Sequence, residues 1–284
     1  MPSTPAKPEK LLEGLCFPEG PRWHDDRLFF SDMHANRVLS VDLDGNAETI
    51  VDVSTTPSGL GFTPDGALLI VSMTNQKLLR LDEGKLSEVA DLSPFTSTDC
   101  NDMVVDSRGH AYIGNFGFDF HNGESTKTTC LLHVTPEGDV NVAADEVVFP
   151  NGAVITPDGG TLILAESFAN RLTAFDIADD ASLSNRRVFA PLGNLPPDGI
   201  CLDAEGGVWV AVPFNQQVVR VVEGGEVTHR FPVSTEAFAC MLGGPDRRTL
   251  FVCTAASTRP DECRTQHRGA IEIVEVDVPG AGLP

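Results

Sequence analysis

Four oxygen-bearing side chains stand at matching points of a recurring pattern. They are Glu19 in Phe17-Pro18-Glu19-Gly20-Pro21, Asn101 in Cys100-Asn101-Asp102-Met103, Asn151 in Phe149-Pro150-Asn151-Gly152, and Asp198 in Pro197-Asp198-Gly199. Two carboxylates and two amides converging on one point would raise one another's pKa in a low-dielectric site unless a counter-ion joined them. A hard divalent cation resolves this. All-oxygen ligation points to calcium, with magnesium or manganese as alternatives, and the lack of His and Cys at most of these points argues against a structural zinc while leaving a catalytic one open. Asn-Gly and Asp-Gly are also ordinary turn dipeptides. Turn chemistry does not explain a glutamate before Gly20, and it does fully explain Asp65, Asp106, Asp158 and Asp203.

The elements that must carry these residues follow from the repeat. With Ser58 and Cys240 as the remaining equivalent points, successive separations run from 39 to 50 residues, the spacing of propeller blades. Six copies predict an all-β, six-bladed β-propeller. Each blade shows short alternating strands, as in Arg27-Leu28-Phe29-Phe30-Ser31-Asp32, and no long window carries a helical stripe. The last copy lacks a final strand after Val278, so residues 11–15 are expected to supply it and close the ring. Residues 1–10 then form a flexible tail, and 11–284 a single domain. In a propeller the residues just before each innermost strand sit at one mouth of the central channel, so the six anchors should meet there.

Composition narrows the partners. A net charge of −21 and a pI near 4.5 exclude a surface built for nucleic acid or an anionic membrane. No apolar leader or membrane span is visible, which suggests the cytoplasm. The seven cysteines form no metal motif and read as small buried hydrophobes, with Cys253 and Cys263 the one pair placed to bridge a loop. No Gly-x-Ser-x-Gly elbow occurs. His24, His34, His121 and His133 read as turn or surface residues, while Glu166 is a possible second-strand visitor to the channel. The stretch from Asn115, with Phe116, Phe118 and Phe120, is longer and more aromatic than its counterparts. It suits either ligand binding, together with Phe17 and Phe214, or packing between blades.

These motifs, with Trp23, resemble the SMP-30, gluconolactonase and luciferin-regenerating-enzyme family over nearly the whole chain. The resemblance implies that Glu19, Asn151 and Asp198 bind one divalent metal and that Asn101 contacts water or substrate. Sugar-lactone members carry an Arg two residues before that Asn, where this chain has Asp99. That departure weakens a gluconolactone assignment, and Asp99, Phe116 and Phe118 are expected to shape a substrate site that suits a less polar lactone or ester. The implied reaction is metal-dependent lactone hydrolysis. In it the cation polarises the carbonyl and acidifies a bound water, Asp198 takes the water's proton, and Asn101 steadies the oxyanion. Calcium-dependent phosphotriester hydrolysis and a non-catalytic metal- or ligand-binding propeller are the alternatives.

Overall fold

The computed structural model describes residues 7–282. A first strand, β1 (Glu9–Leu15), is followed by β2 (Pro18–His24), β3 (Arg27–Asp32), β4 (Arg37–Val41) and β5 (Ala47–Asp52). The second blade is β6 (Pro57–Phe62), β7 (Leu68–Ser72), β8 (Lys77–Asp82) and β9 (Lys85–Asp91). The third is β10 (Cys100–Val105), β11 (Ala111–Asn115), β12 (Thr129–Val134) and β13 (Val140–Val147). Then come β14 (Pro150–Ile155), β15 (Thr161–Glu166), β16 (Arg171–Ile177) and β17 (Leu183–Pro191), and β18 (Ile200–Leu202), β19 (Val208–Val212), β20 (Gln217–Val221) and β21 (Val227–Pro232). The last blade holds β22 (Glu236–Gly243), β23 (Thr249–Ala255) and β24 (Gly269–Glu275), with a helix, α1 (Pro260–Gln266), between the latter two.

These strands form six four-stranded antiparallel sheets, a six-bladed β-propeller. The last sheet has the order β1-β24-β23-β22, so the first strand of the chain closes the ring, as the sequence predicts. Its pairing starts at Glu9, opposite Ile273, inside the segment expected to fray; residues 1–6 of that segment lie outside the described residues.

The innermost strands share one irregularity. In β2, β6, β10 and β14 three residues oppose two on the neighbouring strand, between Glu19 and Arg22, Pro57 and Leu60, Cys100 and Met103, and Pro150 and Ala153. A bulge of this kind re-aims side chains at the end of a strand. It places Glu19, Asn101 and Asn151 within the first turns of their strands rather than just ahead of them. The glycines beside the anchors allow close approach rather than turning the chain. A Cβ on Gly152 would lie 2.7 Å from the Asp198 carbonyl, and one on Gly199 would lie 2.5 Å from the Ala239 Cβ. Gly152 N–H donates to Asp198 O at 3.3 Å and Gly199 N–H to Phe238 O at 2.8 Å, locking successive blades together around the channel.

That pattern corrects the repeat in the last blade. The residue equivalent to Asp198 is Phe238, which sits at the β22 irregularity between Ala237 and Ala239, and not Cys240. Cys240 is buried, with its thiol against Trp209 O and Gly199 O. Cys253 and Cys263 are both free thiols, so the disulfide considered for them is absent. Cys253 belongs to a core cluster of the last blade, whereas Cys263 packs on α1 with its Sγ directed at Ser257 O. The far end of the channel is closed by the C-terminal segment: Gly280 N–H donates to Arg247 O and Ala281 N–H to Leu202 O. No helix among the described residues is long and apolar enough to cross a membrane.

Candidate active site

The open mouth leads into a cavity of about 1010 Å³ whose lining includes Glu19, Asn101, Asn151 and Asp198. The structure therefore brings together all four oxygen-bearing anchors. Ser58 and Cys240 do not line it. Ser58 is buried, its carbonyl accepting from Ser31 Oγ at 2.6 Å, and Phe238 faces the cavity in place of Cys240.

Two of the anchors, Glu19 and Asn151, are held from behind by a buried carboxylate at the end of the next strand outward. Asp32, on β3, accepts from the N–H groups of Cys16 and Phe17, both at 2.9 Å, and fixes the entry to Glu19. Glu166, on β15, accepts from Val148 N–H at 2.8 Å just ahead of Asn151, and its carboxylate is taken up by Arg171, Thr173 and Arg186. Glu166 is fully buried in the blade and absent from the cavity lining, so the reading of it as a channel residue is incorrect. Asn151 Nδ2 donates to Ser167 Oγ at 3.2 Å, which leaves its carbonyl oxygen free as a donor to a cation.

The electrostatics of the floor are those of a crowded anionic site. Burial pushes the Glu19 carboxyl well above the usual carboxylate range, and the neighbouring Asp198 and Asp102 add to it. The Gly20 N–H, at 2.6 Å, and Arg22 oppose the rise. Asp198 rises for the same first reason, then through Asp102, against the Asn151 amide and the Gly199 N–H. Arg22 lies in the channel beneath them, but its guanidinium is committed. It donates to Asp102 Oδ1 at 3.0 Å, to Pro21 O at 2.6 Å and to Met103 O. Asn101 Nδ2 is buried without a protein partner.

Two carboxylates held up by burial and by neighbouring carboxylates, an amide oxygen left free and an orphaned amide N–H fit a divalent cation with a polar ligand beside it. Among the described residues no three His, Cys, Asp or Glu side chains gather as a metal cluster. The donor set that fits has only two carboxylates and completes itself with the amide of Asn151.

The walls are aromatic. Phe116 stacks on Phe149 with centroids 4.6 Å apart, and Phe120 and Phe168 flank them. Phe17 and Phe238 meet at 4.6 Å, and Phe214 stands on the rim. Phe116 lines the cavity as expected, whereas Phe118 does not. Only 1% exposed, Phe118 lies behind the wall with its ring against Phe149 and Phe168, because its side chain points into the loop's own cluster. Asp99 lines the cavity, and burial pushes its carboxyl up, opposed by His121.

His34 and His121 also line the cavity, contrary to their reading as turn or surface residues. His133 is buried on the other side of its blade, its Nε2 at 2.9 Å from His110 Nδ1. His24 stacks on Phe62. Sequence reasoning also missed Phe149, Phe168 and Phe238, together with α1, whose Pro260, Asp261 and Arg264 reach the rim. Its signals were proline at the first helical position and Asp261 and Glu262 in the first turn.

Burial holds His34 down to about 4, its Nε2 lying 3.3 Å from Thr258 O. The unfolded chain takes up this proton near pH 6.5 and the folded chain only near 4. The contribution is therefore fully present above pH 6.5 and is lost as pH falls toward 4, about 3 kcal/mol in all. Urea denaturation from pH 7 to 4 should show a smaller loss of stability for His34→Gln than for wild type; equal losses would refute the assignment.

A family model described as SMP-30/Gluconolactonase/LRE-like region matches residues 17–256, and the chain belongs to that family. It is similar to pentonolactonase XacC of Haloferax volcanii, 27% identical over 278 residues that cover 94% of this chain and 92% of that one. In fold it is similar to luciferin-regenerating enzyme, with a TM-score of 0.83, 18% identity and 99% of both chains covered. It is also similar to a calcium-binding protein, regucalcin, from Agrobacterium tumefaciens, with a TM-score of 0.82 and 23% identity over 98% of this chain and 96% of that one.

Proposed function

We propose that this protein is a divalent-cation-dependent hydrolase that opens a lactone to its hydroxy acid. The observation that carries the reading is the floor of the cavity, where Glu19, Asn151 and Asp198 gather around an excess of negative charge beside the orphaned Asn101 amide. The similarity to a pentonolactonase supports the substrate class. Glu19, Asn151 and Asp198 would hold the cation, with calcium favoured by the oxygen donors, and it would supply Lewis acidity toward the carbonyl and the attacking water.

The chain's own groups do the rest. Asp198 accepts a proton from water as its oxygen bonds to the carbonyl carbon, and Asn101 Nδ2–H donates to the oxygen on which negative charge develops. When the tetrahedral centre collapses, the ring C–O bond breaks and the departing alkoxide takes the proton back from Asp198. Glu19 keeps its charge throughout and serves as a ligand. The phenylalanine walls exclude bulk water, which strengthens the Asn101 hydrogen bond.

The test is pH-stat hydrolysis of a lactone panel by the cation-loaded protein, beside a phosphotriester and a linear ester. Lactone turnover above the buffer rate is expected; cation binding with no lactone opened would reject the reading. Asn101→Ala should lose roughly 10²–10³-fold in kcat with little change in cation affinity, since it removes one donor to the oxyanion. An unaltered kcat would take Asn101 out of the reaction.

A further inference from the structure

Resting on the lactonase reading, we infer that the substrate is a lactone carrying an apolar substituent, aryl or alkyl, and not a free sugar lactone. The reacting floor occupies little of the cavity. About 1010 Å³ is the upper end of what drug-sized ligands fill, far more room than an unsubstituted polyol ring requires. Above the floor seven phenylalanines line the cavity, with Phe116, Phe149 and Phe168 on one side and Phe17 and Phe238 on another.

Two further observations point to a ligand rather than to packing. Phe168 and Phe214 are 45% and 68% exposed, and both stand at this one mouth. Leaving such rings in water is unfavourable, and a bound apolar group would cover them. In addition, Phe149 and Phe214 hold φ of 51° and 64°, left-handed backbone that is strained for a bulky side chain, and Phe149 does so directly ahead of Pro150. Strain retained at two cavity-lining aromatics is what a binding wall shows when ring placement matters more than local backbone energy. Polar side chains such as Thr56, Thr74, Asn122 and Asn170 also line the cavity, but most of the surface it offers a ligand is apolar.

The experiment compares kcat/KM of the cation-loaded protein for dihydrocoumarin, γ-nonalactone and D-glucono-1,5-lactone. The same measurements follow for Phe168→Ser and Phe214→Ser, with melting temperature recorded for each, since Phe168 also packs on Phe118 and Phe149. Calorimetric binding of each lactone is recorded in parallel, with its hydroxy acid as control. The expected result is a preference of tenfold or more for the apolar lactones. Each serine variant should raise KM for them roughly fivefold, and KM for gluconolactone by a smaller factor.

Preferred turnover of gluconolactone would overturn the inference and leave the lactonase reading standing. If no lactone is opened, the lactonase reading fails, and calorimetry still decides the ligand class. Tighter binding of the apolar compounds, weakened in both serine variants, would keep the apolar ligand site; equal or absent binding would remove it.

Discussion

Replacing Asp198 by Asn should abolish most of the activity, with kcat down on the order of 10²–10⁴-fold under saturating cation. The amide keeps an oxygen for ligation and nearly the same shape, so a calcium titration should still reach one ion per chain at somewhat lower affinity. What it cannot do is accept a proton. Asp198 lies on the cavity floor, and in the cation-free protein its carboxyl is raised first by burial and then by Asp102. In wild type, protonation of Asp198 should switch the reaction off as pH falls, giving kcat an acidic limb that the variant lacks. If Asp198→Asn stayed within threefold of wild type at saturating calcium, Asp198 would be a ligand only and another group would take the proton.

Glu19→Gln should divide stability from cation binding. In the metal-free protein Glu19 holds its proton above the usual carboxylate range, because it is buried and faces Asp198 and Asp102. Its folded pKa exceeds its unfolded one. The contribution to stability is therefore fully present at acidic pH, below the free carboxylate value, and is lost as pH rises through the raised folded value. At pH 7.5 in chelator the glutamine variant is relieved of this cost and should melt a few degrees above wild type. That corresponds to on the order of 1–3 kcal/mol, and the gap should narrow at pH 5. Added calcium should reverse the order. Wild type gains about 2.7 kcal/mol at a hundredfold excess over Kd, while Glu19→Gln gains little. A variant that melts below wild type in chelator at both pH values would show that Glu19 stabilises the empty floor, contrary to this account.

The parts of this structure legible in the sequence are those fixed by repetition. Six recurrences at blade spacing, with a strand missing from the last, led to the ring and to its closure by the chain's own beginning. The anchors were legible because one strand position recurs at one mouth, so Glu19, Asn101, Asn151 and Asp198 could be gathered without coordinates.

Failures came where repetition is broken or where the third dimension decides direction. In the last blade the irregularity falls at Phe238, two residues ahead of Cys240, the point that the degraded repeat suggests. Phe116 and Phe118 are two apart in a loop with no strand to set which way each faces, and the structure turns Phe118 inward. Helix α1, at seven residues, is shorter than two full turns of hydrophobic pattern. His34 reached the cavity on a short 3₁₀ turn after β3, and Glu166 was drawn into its blade by Arg171 and Arg186. The closure of the far mouth by residues 279–282 carries no local motif at all.

The central claim is that the floor residues act as a cation-dependent hydrolytic centre. The most direct test titrates calcium, and in separate runs zinc, manganese and magnesium, into chelator-stripped protein while lactone hydrolysis and calorimetric binding are followed on the same sample. The account predicts that activity rises in step with occupancy of one site per chain, and that Glu19→Gln shifts both curves together. Full activity in the stripped protein, or a site that fills while activity stays flat, would contradict it.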